Sequence, residues 1–160
     1  MKALCIGLMV LLSVFNAAGC AKAQVDPLAG KPLRDFTLER LSGTSTALSQ
    51  LVHGKKAIMF FFATWCPHCR EQFQALAAQK AQIEAQGVAI VLVDIGEPRD
   101  KVARFLKAAG VDNDAFLDKD SRVAEIYQVM GIPTLVFIAQ DGVVRGVEYG
   151  LPDNYLEILK

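Results

Sequence analysis

The sequence predicts one alternating α/β domain, and three observations carry that prediction. Residues 57–62 and 88–93 are apolar runs without a charge, the mark of strands buried on both faces. Between them, residues 67–86 place Phe73, Leu76, Ala77 and Ile83 on one helical side and stop at Gly87. Such a strand–helix–strand unit is parallel and right-handed. Farther on, Asp141-Gly142 separates apolar residues 134–140 from 143–148, a strong two-residue hairpin signal.

The remaining elements follow in order. Residues 35–38 and 46–48 read as short strands around a Ser42-Gly43 turn, an N-terminal β extension to the domain. Pro98 opens a helix in which Val102, Phe105, Leu106 and Ala109 share one face, ending at Gly110. A short helix near residues 121–129 repeats that spacing with Val123, Ile126, Tyr127 and Met130. A brief helix begins at Pro152. Internal repeats and low-complexity stretches are lacking.

Composition bounds the function. A chain of 160 residues suits one domain. Its 17 Lys and Arg balance 17 Asp and Glu, which argues against a basic nucleic-acid face. At 52% hydrophobic residues it is not an intrinsically disordered chain.

The first residues read as an address. Lys2 precedes an uncharged stretch, residues 3–15, too short to cross about 30 Å of hydrocarbon as a helix. One charge, a short apolar core and small residues after it make a secretory signal peptide over residues 1–19. Ala17-Ala18-Gly19-Cys20 resembles a bacterial lipobox, which implies cleavage before Cys20 and lipidation of that cysteine. Ala17 departs from the leucine preferred there, and Ala21-Lys22-Ala23 offers an ordinary A-x-A cut that releases a soluble protein at Gln24. Residues 20–33 then form a polar tether, and residues 34–160 the domain.

Both cuts export the chain and dispose of Cys5 and Cys20, leaving Cys66 and Cys69 to the folded domain. A pair this close closes too small a loop to restrain the unfolded chain much, so chemistry has to explain it. Cys66 falls just after a buried strand and at the N-cap of the next helix, with Pro67 suited to the first turn. Unpaired N–H groups and the helix dipole there favour a thiolate. Cys69, nearly one turn on, is placed to form a disulfide with Cys66. Cys66 is therefore the expected attacking thiol and Cys69 the resolving one. His68 can add a hydrogen bond or positive charge to the pair, and Trp65 an apolar rim for a substrate chain; the plainer alternative for each is a packing residue. Zinc needs four ligands, and the domain holds these two cysteines with His53 and His68. Haem attachment needs a histidine after the second cysteine, where Arg70 stands. Neither cysteine has the P-x-x-x-[ST]-x-x-C context of a peroxidatic one.

The chain resembles the exported TlpA/ResA-like thioredoxins from about Asp35 to its end. Asp35-Phe36-Thr37-Leu38, the run from Phe61 through Trp65-Cys66-Pro67-His68-Cys69 to Arg70, and Gly131-Ile132-Pro133-Thr134 carry the resemblance. It implies the thioredoxin fold, a central mixed β-sheet flanked by helices. It also implies a cis Pro133 against the active-site pair, with the backbone at Ile132 pairing with substrate. Where thioredoxin has a buried aspartate, this chain has Phe60. Where ResA-like chains have a glutamate after the second cysteine, it has Gln72, and the proline that follows is replaced by Gln74. Glu97 matches an acid often seen in TlpA-like chains, and Glu71 adjoins the motif; both are candidates for proton transfer. For Glu97 the plainer expectation is a solvated carboxylate at a helix start.

The resemblance implies an extracytoplasmic disulfide reductase acting on envelope proteins, apocytochrome c among them. It implies a membrane electron donor, a periplasmic setting and no added cofactor, and the protein is expected to be a monomer. Pro67-His68 is, however, the dipeptide of DsbA, a strong oxidant, which leaves a dithiol oxidase as the alternative. Against it, the chain is too short for DsbA's helical insertion, and Ile132 is thioredoxin-like. A Cu(I)-binding or metal-delivery protein is a third reading, since thiolates suit Cu(I). Copper chaperones on this fold use CxxxC and a distal histidine, which this sequence lacks.

Overall fold

The computed structural model describes residues 26–160. The leader over residues 1–19, Cys5, the anchor Cys20 and the alternative cut after Ala23 lie outside the described residues. In chain order the elements are β1 (Thr37–Glu39), β2 (Ser45–Ala47), α1 (Leu48–Val52), β3 (Lys56–Phe62), α2 (Pro67–Ala85) and β4 (Val88–Ile95). Then come α3 (Arg99–Ala108), β5 (Ala115–Asp118), α4 (Arg122–Ile126), β6 (Thr134–Ile138), β7 (Val144–Glu148) and α5 (Tyr155–Ile158).

The main sheet has the order β5-β4-β3-β6-β7. β3 runs parallel to β4, and β4 to β5, while β6 lies antiparallel to both β3 and β7. This is the mixed sheet the sequence led us to expect. β3 and β6 are buried almost throughout because both faces of the sheet are covered. One core packs Ile58, Phe60, Phe62, Leu92 and Leu117 against Phe73 and Leu76 of α2 and Val102 of α3. The other packs Met59, Phe61, Val93 and Phe116 against Val123, Ala124 and Tyr127 at α4. Gly87, at φ +70°, ends α2 where a residue with a Cβ would be strained.

Three features depart from the sequence reading. β5 has only four residues bounded by acids, and α1 only five, so neither shows enough period to be read. The described part of the expected tether is docked on the domain. Gly30 N–H donates to the Val144 carbonyl at 2.8 Å, Leu33 N–H to Gly142 at 2.8 Å, and Pro32 bridges Val143 at the β7 edge. Leu28, just before these contacts, is buried in the α4-side core. From the edge the chain crosses that face, burying Phe36, to the opposite edge, where Arg40 bridges Phe116 of β5. Arg40–Asp114 (3.2 Å) and Glu39 with Arg99 (2.5 Å) and Lys119 (2.9 Å) fasten the β1–β2 hairpin there. Among the described residues, no helix is long and apolar enough to cross a membrane.

Candidate active site

Cys66 is the N-cap residue of α2, with extended backbone at φ −80°, ψ 115° and Pro67 beginning the helix. Its sulfur accepts the Cys69 N–H at 3.2 Å, one of the donors a helix start leaves free. The same sulfur lies 3.7 Å from the carbonyl oxygen of Ile132, to which the thiol donates. The Ile132–Pro133 peptide is cis, and the loop before β6 holds this carbonyl against the thiol. Both cysteines are free and buried. Burial, reinforced by the hydrogen bond to Cys66, pushes the Cys69 thiol up to about 12, although the Ala63 amide bonds its sulfur and works the other way. A shallowly buried thiol at a helix N-terminus thus stands in front of a second thiol that holds its proton.

On the Trp65 side of this pair the surface is largely apolar. Trp65 is 64% exposed and Met130 88% exposed, and with Ala124, Val129 and Ile132 they line a groove of about 270 Å³. Met130 carried no sequence signal beyond helical spacing, and it lies outside α4, in the loop leading to Pro133.

The other expected residues divide. His68 is 78% exposed and sits 3.2 Å from Glu71, itself exposed. The structure thus joins His68 to Glu71 at the surface, not to the Cys66 sulfur, and takes Glu71 away from Cys69. Gln72 accepts the Leu151 N–H at 2.9 Å and holds the loop after β7 in place. Glu97 overturns the expectation of a solvated carboxylate, since it is only 5% exposed. It accepts the Thr64 N–H at 2.5 Å and the Thr64 hydroxyl at 2.9 Å, two residues before Cys66, and Lys101 Nζ approaches it at 2.5 Å. Burial opposes its ionisation, but the bonds from Lys101 and Thr64 outweigh this and hold its carboxyl below the usual range. Behind it stands Asp94, fully buried, which the sequence reading passed over despite its being the lone charge in the run of β4. Among the described residues no group of three or more His, Cys, Asp or Glu forms a cluster that could hold a metal ion.

Comparison with known proteins agrees with this geometry. Residues 29–147 match the AhpC/TSA family. The chain is 32% identical over 153 residues to the thiol-disulfide oxidoreductase ResA of Bacillus subtilis, covering 92% of this chain and 84% of that one. It is 31% identical over 157 residues to the thiol:disulfide interchange protein DsbE of Escherichia coli, covering 90% and 83%. A secreted Mycobacterium tuberculosis disulfide oxidoreductase, described as homologous to DsbE, superposes with a TM-score of 0.66 at 23% identity, over 76% of this chain and 90% of that one. At that identity the likeness speaks for the thioredoxin fold alone.

Proposed function

This chain belongs to the AhpC/TSA family, and on that premise we propose that it is an exported thiol-disulfide oxidoreductase that reduces disulfides in envelope proteins, apocytochrome c among its candidate partners. The observation that carries the reading is the Cys66 sulfur, set at the start of α2 and 3.7 Å from the Ile132 carbonyl with Cys69 buried behind it. The Cys66 thiolate attacks a partner disulfide, forming a mixed disulfide and expelling one partner thiolate. Cys69 then gives up its proton and attacks the Cys66 sulfur. A Cys66–Cys69 disulfide forms, the mixed disulfide breaks, and the second partner sulfur leaves as a thiolate. The partner gains two electrons and the domain loses them, so a dithiol donor at the membrane must restore it.

The dithiol is its own redox group in this reading, and Cys20 is the lipid anchor that keeps the domain at the membrane. Trp65 and the Ile132 backbone receive the partner segment. Of the two acids near the motif, Glu97 is the one buried behind the redox loop, and proton transfer from Cys69 is assigned to that side.

The experiment is insulin or apocytochrome reduction by the full chain and two variants. Cys66→Ser abolishes exchange, and Cys69→Ser accumulates a mixed disulfide with the partner. The reduction potential lies between those of thioredoxin, about −270 mV, and DsbA, about −120 mV. A potential at or above the DsbA value would overturn the reductase direction in favour of an oxidase.

A further inference from the structure

Asp94 is the single charged residue of β4 and is 0% exposed. Its register partners are Phe62 on β3 and Leu117 on β5, both in the core that holds Cys66, Cys69 and Phe73. Register partners share a face, so its carboxyl lies on the α2 side of the sheet. Oδ1 accepts the Glu97 N–H at 3.1 Å, while Oδ2 is buried without a hydrogen-bond donor. The two side chains also meet carboxyl to carboxyl.

Two buried carboxyls in contact do not both ionise near neutral pH. Glu97 is approached by three donors, the Thr64 amide, the Thr64 hydroxyl and Lys101, whereas Asp94 has one backbone N–H. The proton therefore belongs to Asp94, where it also satisfies the orphaned Oδ2 by donating to Glu97.

We propose that Asp94 is a positioning residue for the redox loop: it retains a proton against Glu97, so that a single negative charge grips Thr64 while the neighbouring Ala63 amide faces the Cys69 sulfur. Burial first, and then the Glu97 carboxyl, push Asp94 up to about 8, which sets where that proton is lost. The groups around it are few. Glu97 and Lys101 face it from the β4–α3 loop and α3, while Arg99 turns away to Glu39 and the Leu41 carbonyl. From α2, Arg70 reaches the Thr64 carbonyl at 3.1 Å, and Cys69 lies behind Ala63. Phe62 and Leu117 do not titrate, and Asp118, on the opposite face, caps Val123 and Ala124.

The role requires that Cys66 and Cys69 be the redox couple proposed above. When dithiothreitol reduces the oxidised domain, its thiolate bonds the Cys66 sulfur and the Cys66–Cys69 bond breaks, with Cys69 leaving as a thiolate. The reagent's second thiolate then releases Cys66 and closes the cyclic disulfide of the reagent. A second charge beneath the loop, created when Asp94 ionises, disfavours that Cys69 thiolate.

The test measures this reduction rate against pH for the full-length wild type, Asp94→Asn and Glu97→Gln, with the Asp94 carboxyl followed by carbon-13 NMR. The ratio of the Asp94→Asn rate to the wild-type rate cancels the reagent's own titration, and it rises by about threefold between pH about 6 and 9.5. The NMR midpoint of Asp94 sits near 8 and drops in Glu97→Gln, moving the alkaline step of that variant's rate profile to lower pH. A flat ratio, or an Asp94 midpoint in the ordinary carboxylate range, overturns the proposal. Should Asp94→Asn not fold, an unmoved step in Glu97→Gln overturns it equally. A wild type that exchanges no disulfide sinks the dithiol reading instead, and the NMR midpoint still decides where the proton resides.

Discussion

The phenol of Tyr127 donates to the Arg34 carbonyl at 2.8 Å and accepts the Arg34 amide at 3.1 Å, although the two residues are 93 positions apart. Burial pushes this hydroxyl well above its ordinary range, so it stays protonated and keeps both bonds over the whole working pH interval. Tyr127→Phe leaves the ring contacts with Phe36 and Phe61 in place and deprives the Arg34 backbone of both partners. The expected cost is about 1–3 kcal/mol, read from urea unfolding, with disulfide exchange by the folded fraction unchanged. A loss under about 0.5 kcal/mol would mean that water replaces the phenol at no penalty. Asp94 is shifted by burial in the same direction, but its carboxyl is lifted to about 8, where the proton can still be lost. Its signal was present in the sequence, a lone aspartate in an apolar strand. What the sequence does not show is that the chain turns at Gly96, at φ +76°, and brings Glu97 back onto it. Phe60 occupies the place where the resemblance leads one to look for a buried acid, and its register neighbour on β4 is Leu92. The acid lies one pair farther along the same face, on the next strand.

Among the elements, the segment from Asp26 to β2 does most to complete the fold after the sheet itself. It pairs with the start of β7 at one sheet edge, crosses a face and reaches β5 at the other, so part of each edge is covered by the chain itself. Phe36 is the pin of that crossing, with ring centroids 5.3 Å from Phe116 and 6.2 Å from Tyr127 in edge-on contact. Phe36→Ala removes a buried ring and loosens the whole crossing. The expected cost is about 3–4 kcal/mol, and limited proteolysis then cuts the variant before β1 while the wild type resists. Equal resistance of the two would show that the edge pairings hold the crossing without Phe36. That docking is a tertiary fact, and residues 26–33 give no local sign of it because Pro and Gly in a polar run also describe a free linker. β3, α2, β4 and the β6–β7 hairpin were legible because their patterns are long or carry Gly and Pro at fixed places. β5 and α1 were not, since four or five residues draw their stability from neighbours such as Arg40 and Phe36, outside themselves. Of the site, Cys66, Cys69 and Pro133 were readable from spacing and family likeness. The outward turn of His68 toward Glu71 was not, because position in a motif does not fix a rotamer.

Over the whole molecule, the ends of the parallel strands converge on one place: Cys66 follows β3, Glu97 follows β4, and Ser121 and Ala124, which border the Trp65 groove, follow β5. For the Cys66–Cys69 couple proposed above, the fold acts on the dithiol as a unit, and stability then depends on redox state. A Cys66–Cys69 disulfide closes a loop of four residues, which restrains the unfolded chain little. In the reduced domain the Cys66 sulfur accepts from Cys69 at 3.2 Å, and its thiol donates to Ile132 at 3.7 Å. Oxidation removes the thiol proton and with it the second bond. The folded chain thus favours the reduced pair more than the unfolded chain does. Closing the cycle of folding and reduction, the reduced protein is more stable than the oxidised one by the same free energy that raises the potential on folding. With one or two modest hydrogen bonds at stake the difference is about 1–2 kcal/mol, equivalent to roughly 20–45 mV. Urea unfolding of both forms, alongside the potentials of the folded and urea-unfolded chain, tests both sides of the cycle. An oxidised form that unfolds at the higher urea concentration would show that the groups around Cys66 hold the disulfide instead, and the couple would then be more reducing in the folded protein than in the unfolded chain.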